Sequence, residues 1–128
     1  MTYPTMHEIT RPPQQKARTI TLWVLQALAA LAFLAAGAAK LAGAPMLVAE
    51  FQAVGLGQWF RYLTGALEVA GAIALVVPRA VYYGAALLAM VMAGAVIAHL
   101  TILGASKVAP ALILLLITGA IAYFRRIR

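Results

Sequence analysis

Four long apolar stretches, separated by short polar segments, dominate the chain. They run over residues 19–42, 59–77, 80–103 and 109–124. Each approaches the roughly 20 residues that a helix needs to cross the hydrocarbon core of a bilayer. Lipid offers the backbone no hydrogen-bonding partner, so these segments are expected to be helices. The pattern predicts an all-α fold, an integral membrane four-helix bundle.

The connecting segments differ in length and character. Residues 1–18 include the run "RPPQQK" and are expected to be a flexible, basic cytoplasmic tail ahead of one membrane domain over residues 19–128. The dipeptide Pro78–Arg79 is a tight turn, which predicts that the second and third helices form an antiparallel hairpin. The connection 43–58 is longer and has apolar residues at helical spacing, so part of it is expected to lie in the membrane interface.

Composition supports a membrane location. Hydrophobic residues make up 65% of the 128 residues and the mean hydropathy is +0.95, whereas soluble domains are typically about half apolar. The chain has no cysteine, which excludes a disulfide, a thiolate metal site and an iron–sulfur cluster held by this chain alone.

The formal charge of +7 is interpreted as a topology signal and as lipid-headgroup contacts rather than as a nucleic-acid surface, because the basic residues cluster at the ends of the apolar segments. Seven basic residues fall on one side of the predicted bundle and three on the other. The larger group comprises Arg11, Lys16, Arg18, Arg79, Arg125, Arg126 and Arg128, and the smaller comprises Lys40, Arg61 and Lys107. This split predicts that both termini are cytoplasmic.

One carboxylate interrupts the second apolar segment. In "YLTGALEVAGAIALVVP", over residues 62–78, Glu68 stands among residues suited to lipid. A charge at the bilayer centre costs about 2.5–3.5 kcal/mol on insertion scales, so Glu68 must be paired, protonated or directed into a wet cavity. The functional interpretation is a proton-transferring or ligand-anchoring carboxylate. The structural alternative is an ion pair with Lys40 or Arg61 that fixes the register of the helices.

Other polar residues are expected at the same end of the bundle. Arg61 precedes Glu68 by two helical turns, so these residues and Thr64 share a helix face. Glu68 is expected roughly 13 Å, and His99 roughly 6 Å, below the non-cytoplasmic ends of their helices. Lys40 lies near the same end of the first helix. The cytoplasmic half is expected to be almost purely apolar, apart from Tyr82 and Tyr83 at the interface.

These residues form the predicted site. Glu68 and His99 are the candidate catalytic residues, and the candidate ligand-binding residues are Lys40, Arg61, Thr64 and Trp59. Each has a simpler interpretation as well: His99 as a hydrogen-bonded core residue, Lys40 and Arg61 as cations at the headgroup level, and Trp59 as part of an aromatic belt. No metal site is expected, because two glutamates and one histidine are a poor ligand set.

The chain also resembles a known family. The matching motifs are "GAAKL" (37–41), "FQAVGLG" (51–57), "GALEVAGAIALVVP" (65–78) and "HL" (99–100). In their order and spacing they are similar to those of the DoxX-like membrane proteins, over about residues 19–124. The resemblance implies a four-helix membrane bundle, a multi-pass protein of a cell membrane, with the bacterial inner membrane favoured.

The resemblance also suggests a function. Lys40, Glu68 and His99 match positions that tend to be polar in the family. Members have been linked to quinone-coupled sulfur oxidation, as subunits of a thiosulfate:quinone oxidoreductase, and to other membrane redox systems. The expectation is therefore a bound quinone, with no intrinsic cofactor. Besides the lipid bilayer, the expected partners are a redox partner subunit and a second copy of the chain in a homo-oligomer.

Three functions remain open from the sequence. The first is a quinone- or small-ligand-binding subunit of a membrane redox system, with a polar site that opens to the non-cytoplasmic side. The second is a small proton-coupled transporter in which Glu68 carries the proton. The third is a non-catalytic assembly or structural factor held together by its polar residues. Enzymatic activity would depend on a bound quinone or a partner, because the chain has no cofactor motif of its own.

Overall fold

The computed structural model describes residues 13–126, which are helical with short connections and contain no strand. The five helices are α1 (Pro13–Ala42), α2 (Pro45–Val54), α3 (Gln58–Leu75), α4 (Val81–Ala98) and α5 (Ala109–Arg125). The chain leaves α4 through a π-helical turn, His99–Leu103, and a 3₁₀ turn, Ala105–Lys107, that leads into α5. The all-helical class predicted from the apolar pattern is therefore confirmed for these residues.

The main difference from the predicted boundaries lies at the start of α1. The helix begins at Pro13 rather than at Thr19. Glutamine, lysine, alanine and arginine, which make up residues 14–18, have high helix propensity, so the helix extends into what was expected to be tail. The rest of the predicted tail, residues 1–12, lies outside the described residues.

The helices pack in a closed order. The helix α3 lies between α1 and α4, α4 packs against α5, and α5 contacts α1. The short helix α2 rests on α3 and on the π-helical turn, so it covers one end of the bundle. It was predicted only as an interfacial segment, and its packing against α3 makes it part of the bundle wall.

Glycine allows the closest helix contacts. A Cβ atom added to Gly37 of α1 would lie 2.8 Å from the carbonyl oxygen of Gly65 in α3. A Cβ on Gly71 of α3 would lie 2.5 Å from Cγ of Leu88, and one on Gly84 of α4 would lie 3.1 Å from the carbonyl oxygen of Gly71. In lipid, where packing rather than hydrophobicity drives helix association, such contacts bring the backbones together.

Side chains are distributed as in a protein surrounded by lipid. Large apolar side chains face outward along the helices, including Ile20, Leu28, Leu31, Ile73, Met90, Ile97, Ile113 and Leu116. The buried polar side chains are Gln26, Arg61, Glu68 and Thr118, and they share the interior with Phe33, Leu75, Leu88 and Ile121. An apolar exterior around polar interior groups lowers the free energy of a bundle in a bilayer and would raise it in water.

Two of the described helices are long and apolar enough to cross a membrane. They are Gln14–Ala42 and Val81–Leu103, the second of which combines α4 with the π-helical turn. The helix Ala109–Arg125 is apolar but shorter. The helix α3 carries two ionisable side chains, Arg61 and Glu68.

Candidate functional site

A cavity of about 280 Å³ lies where α1 ends, α3 begins and α4 passes into the π-helical turn. The helix α2 forms its fourth wall. The polar lining of the cavity consists of Lys40, Glu50, Thr64, Glu68 and His99. The apolar lining includes Phe51, Phe60, Leu63, Leu67, Met90, Met92 and Leu103. Four of the six predicted site residues therefore line one cavity.

An ion pair forms part of the lining of this cavity. Nζ of Lys40 lies 2.8 Å from Oε1 of Glu68, and the two side chains are 14% and 1% exposed. The Gly37–Gly65 contact brings α1 and α3 close enough for a lysine on one helix to reach a glutamate on the other. Of the two ion-pair partners considered for Glu68, the structure has Lys40.

Arg61 was predicted either to bind a ligand or to be a cation at the headgroup level, and the structure gives it a different role. Its side chain is only 4% exposed, so it is not a cation at the headgroup level, and it does not belong to the cavity lining. Its guanidinium donates to the backbone carbonyl of Lys40, and its Nε donates to Oε1 of Gln58 at 2.7 Å. Because carbonyls in the last turn of a helix lack an intrahelical donor, Arg61 caps the end of α1.

The same network holds α2 in position. Nε2 of Gln58 donates to the carbonyl oxygen of Val48 in α2 at 3.0 Å. Gln58 therefore joins α2 to Arg61, and Arg61 joins α3 to the end of α1. The three helices that carry Lys40, Glu50 and Glu68 are linked by these hydrogen bonds.

His99 opens the π-helical turn and lines the cavity. Its Nδ1 lies 2.8 Å from the carbonyl oxygen of Ala95. A carbonyl only accepts hydrogen bonds, so Nδ1 carries the hydrogen. In the neutral ring, Nε2 is then an acceptor. The residue is at once hydrogen-bonded to its own helix, as the simpler interpretation expected, and positioned at the cavity.

The remaining two predicted site residues, Thr64 and Trp59, differ in their relation to the cavity. Thr64 lines the cavity, and its hydroxyl donates to the carbonyl oxygen of Phe60 at 2.8 Å, which leaves the hydroxyl oxygen available only as an acceptor. Trp59 is 61% exposed, does not line the cavity, and packs edge to face against Phe60 at 5.6 Å between ring centroids. It therefore contacts the cavity wall from outside.

Sequence reasoning missed Glu50 as a cavity residue. It lies in the connection 43–58, for which only an interfacial segment was expected, yet α2 presents Glu50, Phe51 and Val54 to the cavity together. The signal was present, because Glu50 and Val54 are four residues apart and therefore lie on one face of a helix. The apolar spacing of the segment was used to predict the helix, but its acidic residue was not placed on the same face.

The opposite end of the bundle also holds polar contacts that were not expected. Gln26 is fully buried, and its Nε2 donates to the carbonyl oxygen of Leu75 at 2.8 Å. Nε of Arg125 donates to Oε1 of Gln26 at 2.9 Å. These contacts join α1, α3 and α5, so the expectation of an almost purely apolar cytoplasmic half was wrong.

The site offers apolar walls with a few polar groups, which is typical of sites for small organic ligands. Lys40 supplies N–H donors, while His99 and Glu68 supply acceptors and groups able to exchange a proton. Within residues 13–126, no three histidine, aspartate or glutamate side chains come together in a way that would hold a metal ion.

The outward apolar side chains and the buried polar groups define an integral membrane protein, and its cavity of ligand size has mostly apolar walls. Residues 24–121 match the model of the DoxX-like family, and the chain belongs to that family. The resemblance inferred from the short motifs is thereby confirmed. No curated protein and no solved structure matches the chain.

Proposed function

We propose that this DoxX-like protein binds a quinone, or a small aromatic ligand of that kind, in the cavity between α1, α2, α3 and α4, as a subunit of a membrane redox system. The observation that carries the proposal is the combination of a cavity of about 280 Å³ with mostly apolar walls and the Lys40–Glu68 pair and His99 in its lining. Pockets for organic ligands typically begin near 300 Å³ and place a few polar groups among apolar ones.

The polar residues have distinct roles in this proposal. The ammonium group of Lys40 carries three N–H groups, so it can hold Glu68 and still donate to a carbonyl oxygen of the ligand. His99 accepts from a ligand hydroxyl through Nε2. Reduction of a quinone to a quinol takes up protons together with electrons. Glu68, which Lys40 holds as a carboxylate, and Nε2 of His99 would each take up a proton from water and pass it to the ligand. A redox partner protein would supply the two electrons.

The proposal includes a membrane orientation. The four long helices would cross the inner membrane of a bacterium, with both termini in the cytoplasm. In support, Arg79, Arg125 and Arg126 lie together at one end of the bundle, whereas Lys40 and Lys107 lie at or near the other end. More basic residues are expected on the cytoplasmic side. The cavity would then open toward the non-cytoplasmic face.

One observation favours a second candidate, a structural or assembly role. The Lys40–Glu68 pair joins α1 to α3 directly, and an ion pair of this kind fixes the register of two helices without any ligand. In that case the cavity would serve packing against a partner protein, and no small molecule would be retained in it.

Mass spectrometry of the full chain, extracted in native lipid, separates the two candidates. The wild type is compared with Glu68→Gln and with Thr118→Ala, a change at a buried polar residue that does not line the cavity. Redox binding predicts a stoichiometric quinone in the wild type and in Thr118→Ala, and its loss in Glu68→Gln. No retained aromatic ligand in any of the three would contradict quinone binding and favour the structural role.

A further inference from the structure

A second, polar pocket lies at the end of the bundle opposite the cavity. It has a volume of about 450 Å³, and its lining brings together Thr19 and Trp23 of α1, the turn between α3 and α4 with the first residues of α4, and the end of α5. Three arginines, Arg79, Arg125 and Arg126, contribute to it, and none of the lining residues is acidic. Three guanidinium groups around one concave surface give it a strongly positive potential.

The pocket is also rich in hydrogen-bond donors. Tyr82 and Tyr83 line it and carry hydroxyl groups, and both belong to the first turn of α4. The polar side chains of the pocket therefore offer N–H and O–H donors and include no carboxylate.

The surroundings of the pocket are apolar. Val76 and Val77, which follow the end of α3 and lead into the turn, are exposed, and Tyr83 of the pocket lining is 72% exposed. A ligand with a charged head and apolar chains would therefore meet arginine in the pocket and aliphatic or aromatic side chains at its edge. Arginine binds phosphate oxygens through paired N–H groups.

From the three arginines and the apolar edge we propose that this pocket binds a phosphate monoanion, and that its source is the phosphodiester headgroup of an anionic membrane phospholipid. Arg79 and Arg126 would contact the phosphate oxygens. Arg125, which donates to the buried Gln26, would couple the lipid site to the packing of α1 against α3 and α5. The lipid chains would lie along the exposed apolar side chains of α3 and α4.

The test uses the full chain in detergent, titrated with phosphatidylglycerol and followed by native mass spectrometry. The double variant Arg79→Gln/Arg126→Gln is compared with Lys16→Gln/Lys107→Gln, which removes the same charge from two exposed residues outside the pocket. Because each basic residue near an anionic surface contributes roughly a five-fold factor in affinity, the pocket variant should bind this lipid about 30-fold more weakly. The control variant should bind as the wild type does.

Further arms of the experiment identify the source of the phosphate. Phosphatidylcholine, whose headgroup has no net charge, should not be retained. Inorganic phosphate at millimolar concentration should not displace the anionic lipid, because it lacks the chains that contact the apolar edge. Binding of inorganic phosphate alone, with no retained lipid, would overturn the lipid assignment. If the two double variants lost affinity for phosphatidylglycerol equally, the pocket would not be the binding site, because general surface charge would then explain the binding. Circular dichroism of both variants checks that they are folded.

Discussion

Nζ of Lys40 lies 2.8 Å from Oε1 of Glu68, and this ion pair joins the last turn of α1 to the middle of α3 beside the cavity. The glutamate is buried while the lysine keeps a small exposed fraction. The pair explains how a carboxylate is tolerated inside an apolar helix, and it places a donor and an acceptor side by side where a ligand head would lie.

The ion pair predicts strong coupling between its two partners. Removing one partner of a buried pair leaves the other charge uncompensated, so Lys40→Met or Glu68→Gln should each lower the free energy of unfolding by about 3 kcal/mol. The double variant should lose less than the sum of the two, with a coupling of about 1–3 kcal/mol. Unfolding in mixed micelles, followed by circular dichroism, measures all three. Additive losses would mean that the two side chains do not interact.

Arg61 should matter for stability although it does not line the cavity. In Arg61→Met, the Lys40 carbonyl loses the guanidinium donor and keeps only the N–H of Gly43 at 3.3 Å, and Gln58 loses its contact with Nε. We expect a loss of about 2–3 kcal/mol, since hydrogen bonds from charged groups contribute about 1.5–3 kcal/mol each. The same change at Arg79, which is exposed in a turn, should cost under about 0.5 kcal/mol in lipid-free detergent. Equal losses of unfolding free energy at the two positions would show that Arg61 does not cap the end of α1.

The contact between α1 and α3 gives a packing prediction. In Gly65→Ala, the new Cβ would lie 2.9 Å from the carbonyl oxygen of Gly37 and 3.0 Å from Cβ of Lys40. Overpacking of this kind costs about 1–3 kcal/mol. Gly119→Ala is the control, because no atom lies within 4 Å of its added Cβ, and alanine there should stabilise the helix by up to about 1 kcal/mol. If Gly65→Ala were as stable as the control, that result would contradict the close contact between α1 and α3.

Gln26 should be sensitive to loss of its amide. In Gln26→Leu, the carbonyl of Leu75 loses the side-chain donor that reaches it at 2.8 Å. Leaving a buried polar group without its partner costs about 1–3 kcal/mol. Gln14→Leu makes the same change at an exposed position of α1 and should have little effect. A stability equal to that of the wild type in Gln26→Leu would show that this contact contributes nothing.

The fold was predictable where the signal is local. The apolar runs predicted the long helices, and Pro78–Arg79 predicted the turn between α3 and α4, because both features depend on neighbouring residues. The start of α1 was not predicted, since the polar residues 14–18 were taken as tail although they favour a helix. The π-helical turn at His99–Leu103 depends on tertiary packing and has no local signature in this sequence.

The candidate site was predictable as a set of residues but not as a geometry. Glu68, Lys40, His99 and Thr64 were identified because polar groups are conspicuous in apolar helices, and all four line the cavity. Their partners were not predictable: Arg61 was considered as an ion-pair partner of Glu68, yet it reaches a backbone carbonyl 21 residues away. A contact of this kind depends on how two helices cross, which residue spacing within one helix does not reveal.

The same limit applies at the other end of the bundle. The partners of Gln26 lie 49 and 99 residues away in sequence. A single glutamine in an apolar helix gives no indication of such partners. The apolar residues around it in the sequence predicted that this half of the bundle would be apolar. Only the packing of α1 against both α3 and α5 brings the three groups together.

Fluorescence quenching measures whether a quinone binds in the cavity. Quinones quench tryptophan, and Trp59 packs on Phe60, a cavity residue. Trp23→Phe leaves Trp59 as the single tryptophan reporter, and a short-chain quinone is titrated into this protein.

Gly94 lines the cavity and has open space around it, so Gly94→Leu would fill the cavity. Gly119→Leu is the matched control outside the cavity. A quinone site in this cavity predicts saturable quenching in the parent and in Gly119→Leu. It also predicts an affinity at least about ten-fold weaker in Gly94→Leu, equivalent to about 1.4 kcal/mol. Unsaturable quenching, or equal affinity in all three proteins, would contradict a quinone site in this cavity.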